Sequence, residues 1–277
     1  VAVPPFEHLR SLARRADPGS RDTCVEVLTC LGSFGDDTAG LVVACRRLLT
    51  HQPAEARLWW ACARVLTAVA PRAAAAAAVE LIERDDTARR LAEALPFPAD
   101  APVAVARLDD PIGDALASRP DLAVLLVTRR GHHRGRAAWP GVREATGGAG
   151  RTGGDVPGSG RAAWPGVREA TLADALRERA SPLCLRPAAL GEQVMLVQPE
   201  VAETVARVRE AGARVWAVVP VGVTLPGPLI EAMCRTAGDT LTAVPLEVLE
   251  RCVGIQAPPG PSHLGCPVAP ELLRLGR

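Results

Sequence analysis

Residues 214–226 read Arg-Val-Trp-Ala-Val-Val-Pro-Val-Gly-Val-Thr-Leu-Pro, an apolar run that follows a helical pattern closing at Gly212 and breaks at once at Pro220 and Gly222. An apolar run entered from a helix and left through a Gly/Pro turn has the form of a buried parallel strand with its ligand-side loop. It commits the surrounding chain to a layered α/β arrangement. It also makes Pro220, Gly222 and Thr224 candidates for contact with a ligand.

The same pattern recurs from residue 101 onward. Strand-like runs fall at 103–106, 122–127, 183–185, 194–197, 215–219 and 241–244, with helical patterns at 112–117, 172–179, 200–211, 228–237 and 246–252. In the third of these helices Val201, Val205 and Val208 form one apolar face, opposite Glu200, Glu203, Arg207 and Arg209. Alternating strands and helices predict a Rossmann-like, doubly wound parallel sheet with ligands at the carboxyl ends of its strands.

Residues 4–95 carry no strand pattern and read as six short helices. The second stops at Gly32, and the third starts at Asp37-Thr38. The fourth follows Pro53 and places Leu58, Cys62, Val65, Leu66 and Val69 on one face beside Trp59 and Trp60. The alanine run 73–78 reads as a close helix–helix contact and the paired tryptophans as core. The sixth helix is capped by Asp85 or Asp86 and ended by Pro96 and Pro98. The expected class is therefore α/β, with a helical domain over 1–98 and a Rossmann-like domain over 99–277.

One segment is out of pattern. The eleven residues 136–146 recur identically at 161–171, separated by the Gly-rich stretch 147–160. Two copies do not make a solenoid, which needs at least three stacked units. The repeat reads as a recent duplication or an assembly artefact. The second copy runs into a helical pattern and is taken as the structural one, which leaves 131–160 as a disordered insertion.

Composition narrows the chemistry. The chain has no Lys, Tyr or Asn, and all 32 basic residues are Arg. A Schiff-base lysine, a phenolic acid and an Asn amide are therefore excluded. A formal net charge of +1 gives no global reason to expect a nucleic acid or an anionic membrane as partner. The eight cysteines are scattered without a C-x-x-C pair and read as reduced core thiols. No apolar run reaches the roughly 18 to 20 residues that span a bilayer, and no signal-like segment opens the chain, so a cytoplasmic location is expected.

Local motifs are sparse. The basic run 129–136 lacks the aromatic partners of a nucleic-acid site and reads as a solvated loop. Its adjacent His132 and His133 diverge on any regular element and have no carboxylate or thiol at ligand spacing, so no metal is expected. Asp109, Asp110 and Asp114 follow the first strand, where they would repel a phosphate; Asp109 or Asp110 reads as a helix cap, with Pro111 at the first turn. Gly-x-Gly-x-x-Gly and Walker patterns are absent, and no cofactor is expected.

Three segments in order, 187–193 after a strand, 214–226, and Ala269-Pro270-Glu271-Leu272-Leu273 near the end, resemble the translation initiation factor 2B alpha/beta/delta superfamily. That superfamily also holds ribose-1,5-bisphosphate isomerase and methylthioribose-1-phosphate isomerase. The resemblance implies a helical domain, a Rossmann-like domain and a terminal Pro-Pro-Glu-Leu-Ile-type motif. Enzymes of the family carry a Gly-Ala-Asp segment whose Asp moves a proton, then an Asn-Gly loop and an Asn-Lys pair. Here the matching segment is Arg186-Pro187-Ala188, with Ala188 where the Asp would stand; Gly191 keeps only the glycine of the next loop, and the Asn-Lys pair cannot exist.

The resemblance thus implies a divergent, non-catalytic protein that binds a small phosphorylated metabolite or a protein partner, dimeric through its Rossmann-like half. The alternative is a sugar-phosphate aldose-ketose isomerase with relocated groups. In it Arg186, Arg129 or Arg107 would hold phosphate, and Glu192, Asp109 or Asp110 would serve as the base.

Overall fold

A computed structural model describes residues 5–15, 19–35, 37–95, 102–128, 167–254 and 266–276. The expected domain boundary and the expected insertion at 131–160 lie outside the described residues.

The chain opens with helices α1 (Pro5–Leu12), α2 (Arg21–Gly32), α3 (Thr38–His51), α4 (Ala56–Leu66), α5 (Pro71–Glu83) and α6 (Thr87–Ala94). Side-chain acceptors hold the starts of α2 and α3, and Asp85 rather than the N-cap Asp86 reaches the start of α6, while α4 and α5 begin without one. Ser20 accepts from the Thr23 amide, Asp37 from that of Gly40 at 2.8 Å, and Asp85 from that of Thr87 at 3.0 Å. Helix α5 lies close on α2, so close that a Cβ at Gly32 would stand 3.0 Å from that of Ala75. Trp59 and Trp60 are fully buried in this core. Val69, expected on the buried face of α4, is fully exposed, because the helix ends at Leu66 and the periodicity stops with it.

Among the described residues, nine strands and four helices follow: β1 (Val103–Val105), α7 (Ile112–Ala117), β2 (Val124–Thr128), β3 (Val167–Thr171), α8 (Leu172–Arg177), β4 (Leu183–Leu185), β5 (Ala189–Leu190), β6 (Val194–Val197), α9 (Pro199–Glu210), β7 (Val215–Val218), α10 (Gly227–Ala237), β8 (Thr242–Pro245) and β9 (Arg251–Val253). Six form one parallel sheet in the order β3-β2-β1-β4-β7-β9. Its inner strands β1, β4 and β7 are buried on both faces and alternate between two cores. Val103, Val105, Cys184, Trp216 and Val218 point to the side covered by α6 and α7. Ala104, Leu183, Leu185, Val215 and Ala217 point to the side of α8, α9 and β6.

Three expectations are corrected. The runs at 194–197 and 241–244 are strands but not parallel ones: β5, β6 and β8 form a separate antiparallel sheet. Only three residues join β5 to β6, enough for a hairpin and far too few for a parallel crossover. The helix expected over 246–252 is a short 3-10 turn, Leu246–Val248, followed by β9, because pairing with β7 recruits this segment as an edge. Strand β3 went unread because its middle residues, Arg168 and Glu169, are exposed at the opposite edge and give no apolar signal.

The two halves share one hydrophobic core. Residues of α2 to α5 cluster with Leu229, Ile230 and Met233 of α10 and with Ala269, Leu272 and Leu275 of the terminal segment. Arg46 of α3 donates to the carbonyl of Glu271, and Arg235 of α10 to that of Leu273. The terminal motif thus straps the helical region to α10.

Candidate functional site

The strand order reverses between β1 and β4, and a doubly wound sheet opens a crevice at the carboxyl ends of such a pair. Asp109 follows β1 and Arg186 follows β4. The two meet across that crevice, Arg186 Nε donating to Asp109 Oδ2 at 3.0 Å, with the side chains 7% and 6% exposed. Glu55 Oε2 lies 3.8 Å from Arg186 Nη2. Burial by itself would lower the pKa of Arg186, but the charges of Asp109, Glu55 and Asp110 outweigh it and raise the pKa.

A second guanidinium closes the same end from above. Arg57, 3% exposed on α4, donates through Nε to the carbonyl of Val221 at 3.1 Å and through Nη1 to Gly19 O at 2.9 Å and Asp110 Oδ1 at 3.2 Å. Its Nη2 lies 3.9 Å from Asp85 Oδ2, which also accepts from the Val221 amide at 2.8 Å. Gly222, at φ +85°, leaves room for this arrangement, since a Cβ there would stand 3.1 Å from Arg57 Cγ. A Cβ at Gly19 would meet Glu55 Oε2 at 1.9 Å, so a side chain there would have to push the Glu55 carboxylate aside.

The cluster therefore sets two buried guanidinium groups against four carboxylates, Glu55, Asp85, Asp109 and Asp110. Its charge balance is negative, so an incoming phosphate would meet repulsion and find both arginines engaged. Cys24 lies beside it, its thiol 3.8 Å from the Arg57 carbonyl. Burial pushes that thiol up to about 12, and the charge of Arg57 does not bring it back. At neutral pH it is neither a base nor a nucleophile.

The structure brings together Asp109, Asp110 and Arg186, with the loop of Pro220 and Gly222 against Arg57. The carboxylates do not cap α7 as expected: Arg186 and Arg57 take them, and the helix start is held by the Asp109 carbonyl accepting from Gly113. Ala188 is fixed through its backbone, its carbonyl accepting from the Ala56 amide at the start of α4 and its amide donating to Leu196. The side chain of Thr224 is half-buried, and its hydroxyl has no partner among the described residues. Arg107 forms no ion pair among the described residues. Gly191 and Glu192 are in the β5–β6 turn, Gly191 packed near Ile230 and Glu192 exposed, and neither belongs to the cluster. Arg129 lies outside the described residues.

Arg57, Glu55, Asp85, Gly19 and Cys24 were not among the expected site residues, since all belong to the helical region. One signal was present: Arg57 is a single charge at the head of the otherwise apolar run 56–63.

Among the described residues no helix is long and apolar enough to cross a membrane. Nor do any three His, Cys, Asp or Glu side chains among them gather as a metal site.

A helical region docked on the carboxyl end of a parallel sheet, with a polar cluster at the point where the strand order reverses, defines a two-part α/β architecture. That architecture is found in solved structures of translation initiation factor eIF2B. A chain of the tetrameric eIF2B-beta2-delta2 complex from C. thermophilum superposes with a TM-score of 0.64 at 16% identity, over 94% of this chain and 92% of that one. The initiation factor eIF-2B of Pyrococcus horikoshii gives 0.61 at 10% identity, over 99% and 100%. The 5-methylthioribose 1-phosphate isomerase of Pyrococcus horikoshii gives 0.50 at 12% identity, over 90% and 82%. No family model matches the sequence, and no curated protein does. The fold is thus the one shared by eIF2B subunits and this isomerase, as the sequence resemblance implies.

Proposed function

We propose that this chain is a non-catalytic protein of the initiation factor 2B type that acts by association, as a homodimer and with a protein partner. The observation that carries this reading is the occupied crevice: Arg186 is paired to Asp109 where a ligand would enter, and Arg57 is hydrogen-bonded over it. Proton transfer between neighbouring carbons needs a positioned acid and base facing the substrate. Here Ala188 occupies the position where the resemblance implies an Asp, and its carbonyl is committed to α4. Association is further supported by the likeness to a subunit of a tetrameric complex. Light scattering on the purified chain of 29.0 kDa tests the association. A mass of about twice the monomer is expected, and a monomer at every concentration would overturn it.

A second reading is favoured by the two buried arginines at the strand ends: a small phosphorylated metabolite binds there after displacing Asp109 or Asp110. A ligand of the native state must raise the apparent melting temperature. A thermal-shift screen of sugar phosphates and nucleotides separates the two readings. Association alone predicts no shift from any compound.

A further inference from the structure

The alanine run 73–78 faces two ways. Helix α5 packs on α2 and α4 through Ala75, Ala78 and Ile82, with the close approach to α2 at Gly32. Ala73, Ala76 and Ala77 stand on the opposite side and are exposed, as is Leu81 in the last turn. We propose that this outer face of α5 is the homodimer surface, packed antiparallel on α5 of a second copy about a twofold axis. It names the surface of the homodimer proposed above and rests on that reading.

A helix that meets water carries charge on its outer face. Helix α9 does so, with Glu200, Glu203, Arg207, Arg209 and Glu210 exposed. The middle of α5 presents alanines instead, with the exposed Leu81 beside them.

The charges at the two ends of α5 select the occupant. Arg72 and Glu83 are exposed, and neither has an ion-pair partner among the described residues. They are eleven residues apart in sequence. Eleven residues are three helical turns to within about 20°, so the two stand on one flank of the alanine face, roughly 16 Å apart. A twofold axis crossing beside Ala77 reverses the helix direction and keeps the flank. Arg72 of each copy then comes opposite Glu83 of the other, and both pairs form at once, which is the mark of an isologous contact. A parallel pairing would set Arg72 against Arg72 and Glu83 against Glu83, and like charges opposed across an interface are costly.

The rest of the face fits the same arrangement. On the other flank Leu81 comes over Ala74 of the second copy. Glu80 and Arg84, paired along the helix at 3.3 Å, straddle the small Ala73 of that copy. Alanines at the crossing let the two axes approach toward the lower limit of about 8 Å. Two helices of this length bury less than a standard interface, so the dimer should dissociate in the micromolar range.

Light scattering over a concentration series tests the surface. Ala77→Arg places two guanidinium groups at the crossing and should hold the chain at 29.0 kDa where the unaltered chain doubles in mass. Arginine is a good helix former and Ala77 is exposed, so the melting temperature of the dilute protein should not move. Charge reversal tests the direction. Arg72→Glu and Glu83→Arg should each raise the dissociation constant about 5- to 10-fold, and the two together should restore it. A dimer that persists in Ala77→Arg would overturn the α5 surface while leaving the homodimer to another surface. A double reversal no tighter than either single one would overturn the antiparallel pairing. An unaltered chain that stays monomeric at every concentration would overturn the homodimer, and this surface with it.

Discussion

Arg57 of the fourth helix donates to the carbonyl of Val221 in the loop after β7, 164 residues away, at 3.1 Å. With this contact the helical region closes the carboxyl end of the sheet, and Asp85 doubles it from the other side by accepting from the Val221 amide. Arg57 and Asp85 thus tie the helical region to the loop after β7.

Replacing Arg57 by Met removes the ion-pair partner of Asp85 and Asp110 and the donor to the Val221 carbonyl, and leaves the Gly19 carbonyl only the longer bond from Arg186 Nη1 at 3.4 Å. Removing one partner of a buried ionic group costs roughly 3 to 5 kcal/mol, and urea unfolding should show a loss of that order. Arg57→Lys should recover little, since an ammonium cannot present the fork that serves three acceptors at once.

The pair Asp109–Arg186 should behave non-additively. Arg186→Met alone strands a buried carboxylate, one of whose oxygens, Oδ1, already has no hydrogen-bond partner among the described residues. Asp109→Leu/Arg186→Met removes both charges, and buried pairs replaced as a unit by apolar groups are often neutral. A double-mutant cycle in urea should therefore show the double variant more stable than Arg186→Met. Additive losses would mean that each residue serves a separate purpose.

Thiol titration reports on the buried cysteines. Burial pushes Cys24, Cys184 and Cys266 up to about 12, whereas Cys234 and Cys252 are half-buried and shifted less far. With an aromatic disulfide reagent at pH 8, Cys234 and Cys252 should react first in the native protein. Cys24 should react only at the rate of unfolding. Rapid modification of Cys24 would restore it as a candidate catalytic group.

The acid limb of stability carries a contribution from Asp174. Hydrogen bonds from Thr171 and Arg177 hold its carboxyl down to about 2. A carboxylate with a depressed folded-state value adds stability that is complete above its unfolded value, about 4, and is lost as pH falls toward 2. Asp174→Asn should flatten the stability curve in that window and leave its shape above pH 5 unchanged, as read by urea midpoints from pH 2 to 7.

Most of the strands were legible because they are buried and read as short apolar runs between Gly/Pro turns. Val194–Val197 and the run ending at Val218 are direct cases. Direction was not legible for Val194–Val197, because hairpin or crossover depends on the three turn residues before it rather than on the strand itself. Arg168 and Glu169 hid an edge strand, since an edge needs no apolar face on its open side. At the site, Asp109, Asp110 and Arg186 could be placed from the strands that precede them. Arg57 and Asp85 could not, because their partners lie in another part of the chain and only packing brings them together. The absence of Asn and Lys and the Ala at 188 were legible too, but not the ion pairs across the crevice.

If the ion pairs at the crevice between β1 and β4 keep substrate out, as proposed, the protein turns over no sugar phosphate. Incubating the protein with 5-methylthioribose 1-phosphate and with ribose 1,5-bisphosphate, and following each by phosphorus NMR, tests it directly. Both are expected to remain unchanged over hours at stoichiometric protein. A ketose product signal that grows with protein concentration and vanishes in Arg186→Met would contradict it.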